Sequence, residues 1–146
     1  MNVIIEVKSI KETQELGAAI GSRLKGGELI ELVGDVGAGK TTFVKGLAVG
    51  LGVDDSVQSP SFTISQLYEA RDGLKLAHYD FYRLSDPGIM ADELMEATSN
   101  ADTIVVIEWA DTVSEVLPKE HWRIEFTTTS EEGRSIKLPD DLGADL

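Results

Sequence analysis

The chemistry of this chain is concentrated in one short stretch. Gly34-Asp35-Val36-Gly37-Ala38-Gly39-Lys40-Thr41 fills every fixed position of the phosphate-loop string G-x-x-x-x-G-K-[ST]. Glycines let the backbone fold into a nest of N–H donors, and a helix opening near Lys40 aims its positive end into that nest. Lys40 would reach the β- and γ-phosphates of a nucleotide, and Thr41 would ligate magnesium. The bland alternative is a plain glycine-rich turn; the position between a strand-like and a helix-like run argues against it. A phosphate-holding loop also needs an acid from a neighbouring strand, to ligate the metal or orient water. Glu108 ends the apolar run Ile104–Ile107 and Asp80 ends Leu76–Tyr79, and each could equally be a solvated strand-end carboxylate. Ser59-Pro60-Ser61 offers hydroxyls that can sense a γ-phosphate, or is a simple turn. His78, beside Tyr79, reads as a packed histidine more readily than as a catalytic base. The chain has no Asn-Lys-x-Asp string of the guanine-binding kind, which favours adenine.

The elements that must position these residues follow from local pattern. Asn2–Val7 is a β-branched strand, and Ser9 with Glu12 has capping-box spacing for a helix carrying Leu16, Ala19, Ile20 and Leu24 up to Gly26-Gly27. Glu28–Val33 is a strand running into the glycine loop, and a helix over about Lys40–Val49 puts Phe43, Val44, Leu47 and Leu51 on one stripe. Phe62–Glu69 and Leu74–Tyr79 flank Arg71-Asp72-Gly73 as a hairpin, and Ile89–Ala97 is a short helix. Thr103–Ile107 is apolar throughout, as in a parallel strand covered on both faces. Thr112–Leu117 reads as a helical turn, and Trp122–Thr128 with Arg134–Leu138 as a second hairpin. The expected architecture is α/β: one domain over residues 1–138, with a frayed acidic tail over 139–146.

With 146 residues, 42% hydrophobic and 27% charged, the chain is of single-domain length and can bury its own core. It contains no cysteine, which excludes disulfides, thiolate metal sites and a cysteine nucleophile, and fits a reducing cytoplasm. No apolar run approaches the ~20 residues of a membrane span. The formal charge is −13, and the excess lies in residues 51–146, with seven basic and twenty acidic side chains. Such a body repels nucleic acid and anionic lipid, so a protein partner with a basic face is expected, unless the acidity serves only solubility.

Taken in order and spacing, Thr13-Gln14-Glu15-Leu16-Gly17, Gly34–Thr42, Ser59-Pro60-Ser61-Phe62, His78-Tyr79-Asp80-Phe81-Tyr82-Arg83-Leu84 and Ile107-Glu108-Trp109 resemble the bacterial ATPase subunit of tRNA threonylcarbamoyladenosine biosynthesis, the TsaE/YjeE family. The resemblance spans about Thr13 to Trp109, and the hairpin around Arg134 is similar too. It implies a small P-loop NTPase-like mixed sheet with flanking helices and antiparallel hairpins, which binds and hydrolyses ATP with magnesium. Gly37, Ala38, Gly39, Lys40, Thr41 and Thr42 would cradle the phosphates, and Thr41 and Glu108 would ligate magnesium. Thr13 would lie near the adenine, Asp80 would join Glu108 in catalysis or metal binding, and Trp109 would support the site. The implied partners are the proteins that transfer threonylcarbamoyl to adenosine 37 of tRNAs reading codons that begin with adenine, so tRNA is met only through them. Ser61 stands where the family usually has threonine, which keeps the hydroxyl and loses the methyl that fixes its rotamer. Phe81 stands for the usual leucine. Two rivals share the loop: a small-molecule kinase and a nucleotide-dependent scaffold. Kinases of that kind need an arginine-rich lid, and the arginines beyond the loop, Arg71, Arg83, Arg123 and Arg134, are dispersed in sequence. None of them is obviously positioned to stabilise transition-state charge in cis.

Overall fold

The computed structural model describes residues 2–35, 37–54, 65–81, 88–110, 113, 117–118 and 120–143. Its elements are β1 (Asn2–Val7), α1 (Ile10–Gly21), β2 (Leu29–Val33), α2 (Lys40–Gly50), β3 (Ser65–Glu69), β4 (Lys75–Asp80), α3 (Gly88–Thr98), β5 (Thr103–Glu108), β6 (Trp122–Thr128), β7 (Arg134–Pro139) and the single turn α4 (Asp140–Gly143). The strands form one mixed sheet in the order β1-β7-β6-β2-β5-β4-β3. Its centre, β6-β2-β5-β4, is parallel, and β1-β7, β7-β6 and β4-β3 are antiparallel. Both expected hairpins are present. The first turns through Asp72 in the left-handed region, at φ 57°, a conformation that Asp tolerates better than most side chains.

β5 sits in the interior of the sheet, between β2 and β4, with every residue buried, as its unbroken apolar run requires. One face of the sheet carries Ile30, Leu32, Leu76, Ile104, Val106, Ile124 and Ile136 under α1 and α2. The other gathers Leu29, Tyr79, Val105 and Ile107 against Leu94 of α3. In α2 the stripe Phe43, Val44, Leu47 is fully buried, and Phe43 meets Phe126 edge-on at 5.4 Å. Burial of one such side chain contributes about 1.5–3 kcal/mol, more than the ~1 kcal/mol a helix loses without a side-chain N-cap. That balance lets α2 begin at Gly39 with no side-chain cap and with no acid in its first turn.

Ser9 caps α1 as expected, its Oγ accepting from Glu12 N at 3.1 Å. The helix stops at Gly21 rather than running to Gly26-Gly27, and Leu24 reaches the core from the turn that follows. Beyond that end Arg71 reaches in, its guanidinium donating to the carbonyls of Gly21, Ser22 and Leu24 and to Gly50 O at the end of α2. One side chain thereby satisfies the open carbonyl ends of both helices.

α1 and α2 run parallel and touch backbone to backbone. A Cβ built on Gly17 would lie 2.4 Å from Phe43 O, and one on Gly46 would lie 2.1 Å from Gln14 O. Gly21 and Gly50 are equally close to Leu47 O and Ala18 O, so four glycines at i, i+4 spacing set the separation of the pair.

The expected tail is corrected for residues 139–143. Pro139 is paired with Asn2, Leu142 is 3% exposed within the core, and Arg23 Nη1 donates to Leu142 O at 3.1 Å. A count of acids misses one buried leucine, and that leucine anchors the segment. Ser59-Pro60-Ser61, Phe62 and Tyr82-Arg83-Leu84 lie outside the described residues, as does most of the expected turn Thr112–Leu117.

Candidate functional site

The carboxyl ends of β2, β5 and β4 deliver Gly34, Glu108 and Asp80 to one edge of the sheet, where open α/β sheets bind ligands. Gly37 and Gly39 turn the loop through left-handed conformations, φ 82° and 100°. A Cβ at Gly37 would meet nothing within 4 Å, so the need for glycine there is conformational and not steric. Ala38 N donates to Asp35 O at 3.0 Å and closes the loop onto the start of α2.

Lys40, although charged, is only 5% exposed. Its ammonium donates to Gly34 O at 2.6 Å and lies 3.8 Å from the centre of the Trp109 ring. Burial pulls its pKa below the usual lysine range, and the carboxylates of Glu108, Asp80 and Asp35 oppose that shift. Trp109 reaches this position through a left-handed backbone turn, φ 58°, directly after β5. An ammonium fixed at the mouth of an uncapped helix start is equipped to hold an anion. Beside it an open groove of about 180 Å³ runs past Gly34, Asp35, Lys40 and Trp109 toward Glu31 and Arg123.

The two candidate acids meet across the sheet. Asp80 and Glu108 are register partners on adjacent parallel strands, with Asp80 half-buried and Glu108 3% exposed. Glu108 Oε2 is 2.6 Å from His78 Nε2. Thr41 and Thr42 are half-buried in the first turn of α2. Thr13 is buried on α1, its hydroxyl donating to Ser9 O at 3.3 Å. Since Gly17 packs on Phe43 in a parallel helix pair, Thr13 lies one turn further toward the loop, enclosed in the helix contact.

Sequence reasoning missed three contacts. His78 is packed, as expected, but it is also bonded to Glu108. Lys40 is stacked on Trp109. Arg134, on the second hairpin, donates from Nε to Ala38 O at 2.9 Å and from Nη2 to Gly37 O at 3.1 Å. Its Nη1 is taken by carbonyls of its own hairpin, Ser130, Glu131 and Gly133. This guanidinium therefore clamps the loop's carbonyls. No local signal marks a contact across 96 residues of chain.

Among the described residues no three His, Asp or Glu side chains gather to hold a metal. Thr41 and Glu108 could supply two oxygen ligands. So sparse a set suits magnesium, which takes most of its shell from phosphate and water.

The model of one family, described as threonylcarbamoyl adenosine biosynthesis protein TsaE, matches residues 7–136. The chain belongs to the TsaE family. A protein of Aquifex aeolicus named tRNA threonylcarbamoyladenosine biosynthesis protein TsaE is 44% identical over 119 residues, which cover 75% of this chain and 87% of that one. The protein of the same name from Treponema pallidum is 35% identical over 131 residues, covering 90% of this chain and 96% of its own. The crystal structure of Bacillus subtilis YdiB matches the fold with a TM-score of 0.72 at 31% identity, over 94% of this chain and 84% of that one. The resemblance expected from Thr13 to Trp109 thus extends to both flanks, and takes in the hairpin that carries Arg134. No helix among the described residues is long and apolar enough to cross a membrane.

Proposed function

We propose that this chain is the ATP-binding and ATP-hydrolysing subunit of the machinery that makes threonylcarbamoyladenosine at position 37 of tRNA, and that it acts through partner proteins. The pathway is supported by the names its relatives carry. The ATPase reading rests on one observation: the buried ammonium of Lys40 lies between the carbonyl of Gly34 and the ring of Trp109, at the uncapped start of α2.

In this reading the amides of Gly37–Thr42 and the Lys40 ammonium bind the phosphates, because α2 offers them no competing side-chain cap. Thr41 and Glu108 hold magnesium, which supplies charge neutralisation on the phosphates when bound. Asp80, the register neighbour of Glu108, orients water or supports the metal. Arg134 is committed to backbone carbonyls, so it leaves transition-state charge to be met by another group. A guanidinium supplied from a partner can be worth ~10³-fold or more in rate. The net charge of −13 steers the chain toward a basic partner face and away from tRNA itself.

The test is phosphate release by the pure protein with ATP and magnesium, alone and with the partner proteins and tRNA, at low and moderate salt. Slow turnover alone, faster turnover in the complex and weaker assembly as salt rises are expected. Failure to bind ATP would overturn the reading. Fast hydrolysis indifferent to partners would remove assembly as the gate, and phosphate appearing on an acceptor would make the protein a kinase.

A further inference from the structure

His78 sits on β4 two residues before Asp80, so both side chains leave the same face of the strand. It is fully buried, and its Nε2 meets Oε2 of a Glu108 that is itself almost without exposure. A carboxylate oxygen accepts, so Nε2 is the ring nitrogen that donates to Glu108. Nδ1 has no hydrogen-bond partner among the described residues. The register partners of His78 are Val106 on β5 and Gln66 on β3, with Leu76 two residues before it on the same face. Among the described residues the group that its Nε2 meets is the Glu108 carboxylate.

We propose that His78 is the positioning residue for Glu108. Its Nε2–H ties down Oε2, which fixes the carboxylate's rotamer and leaves Oε1 as the oxygen the loop can use. Partners of this kind orient a metal ligand without touching the ligand's target. Glu108 directly precedes Trp109, whose ring lies against the Lys40 ammonium, so the tethered carboxylate belongs to the site. The inference rests on the ATPase reading above and adds the residue that holds its acid in place.

Three substitutions separate positioning from packing. The side-chain nitrogen of Gln reaches about where Nε2 stands, that of Asn only where Nδ1 stands, and Leu fills the space without donating. With partner proteins present, His78→Leu should lower kcat at least about tenfold while ATP affinity stays within about threefold. His78→Gln should restore turnover to within about threefold, and His78→Asn should not. Full turnover in His78→Leu, or equal rescue by Asn and Gln, would overturn the proposal. Nitrogen-15 NMR of the nucleotide-free protein gives a readout independent of activity. The ring proton of His78 should be on Nε2 and exchange slowly, and Glu108→Ala should speed that exchange; a proton on Nδ1 overturns the link. If the wild-type complex shows no ATP turnover, it is the ATPase reading that falls, and the position of the proton still decides the His78–Glu108 link.

Discussion

Gly46→Ala sets two effects of opposite sign against each other. Gly46 is inside α2, where alanine favours the helix by about 1 kcal/mol over glycine. Propensity alone therefore makes the variant more stable. The added methyl, however, would lie 2.1 Å from Gln14 O and 2.8 Å from Gln14 C, both backbone atoms of α1. No rotamer change relieves a backbone contact, so the helices must separate, and Phe43 and Leu47 lose part of their packing as α2 lifts. Overpacking costs ~1–3 kcal/mol even where side chains can yield. With the upper end of that range for a rigid backbone, less the propensity gain, the net loss is at least about 2 kcal/mol. At ~2–4 °C per kcal/mol for a domain of this size, Tm should fall by roughly 4–8 °C. Thermal unfolding followed by circular dichroism measures it, with Val49→Ala on the exposed side of the same helix as a control that should stay within ~0.5 kcal/mol. Gly17→Ala, which would meet Phe43 O at 2.4 Å, should act in the same direction. The double variant should lose less than the sum of the singles, because helices already parted accept the second methyl more cheaply. A Tm for Gly46→Ala equal to or above that of the wild type would refute the close helix contact.

Lys40→Ala should weaken ATP binding by about tenfold or more, the worth of a charge-assisted hydrogen bond to phosphate, and leave the fold intact; calorimetric titration with circular dichroism checks both. Glu108→Gln should bind ATP yet lose at least about tenfold in turnover, ~1.4 kcal/mol of barrier. If Asp80→Asn abolishes turnover and Glu108→Gln does not, the two acids exchange roles. Burial, with smaller contributions from Glu93 and Glu96, pushes the Tyr79 hydroxyl up to about 12 from 10.0. The folded state then holds its proton more tightly than the unfolded chain, so this contribution is whole below the unfolded value and is lost as pH rises from there through the folded one. Tm measured at mildly and strongly alkaline pH should therefore drop less in Tyr79→Phe than in the wild type, and parallel curves would exclude Tyr79 as the titrating group.

Much of the molecule is legible in the order of its residues because the signals are local. Ser9 and Glu12 start α1 through bonds reaching three and four residues. The loop string lies directly between β2 and α2, and the apolar run of β5 announces a strand covered on both faces. These cues act through near neighbours along the backbone, so fold class, the loop and the two acids can be read without a structure, and the ordered motifs carry the family. What surrounds those acids depends on which strands become neighbours. The order β1-β7-β6-β2-β5-β4-β3 brings His78 to Glu108 across 30 residues and Arg134 to the loop across 96. It also gives Leu142 a core to enter from a segment whose composition reads as tail. Hydrophobic periodicity records which face of an element is buried, and it carries no record of the partner against which that face is buried. The hydrogen bonds of the site's outer shell are made between such partners, and for that reason only the tertiary structure decides them.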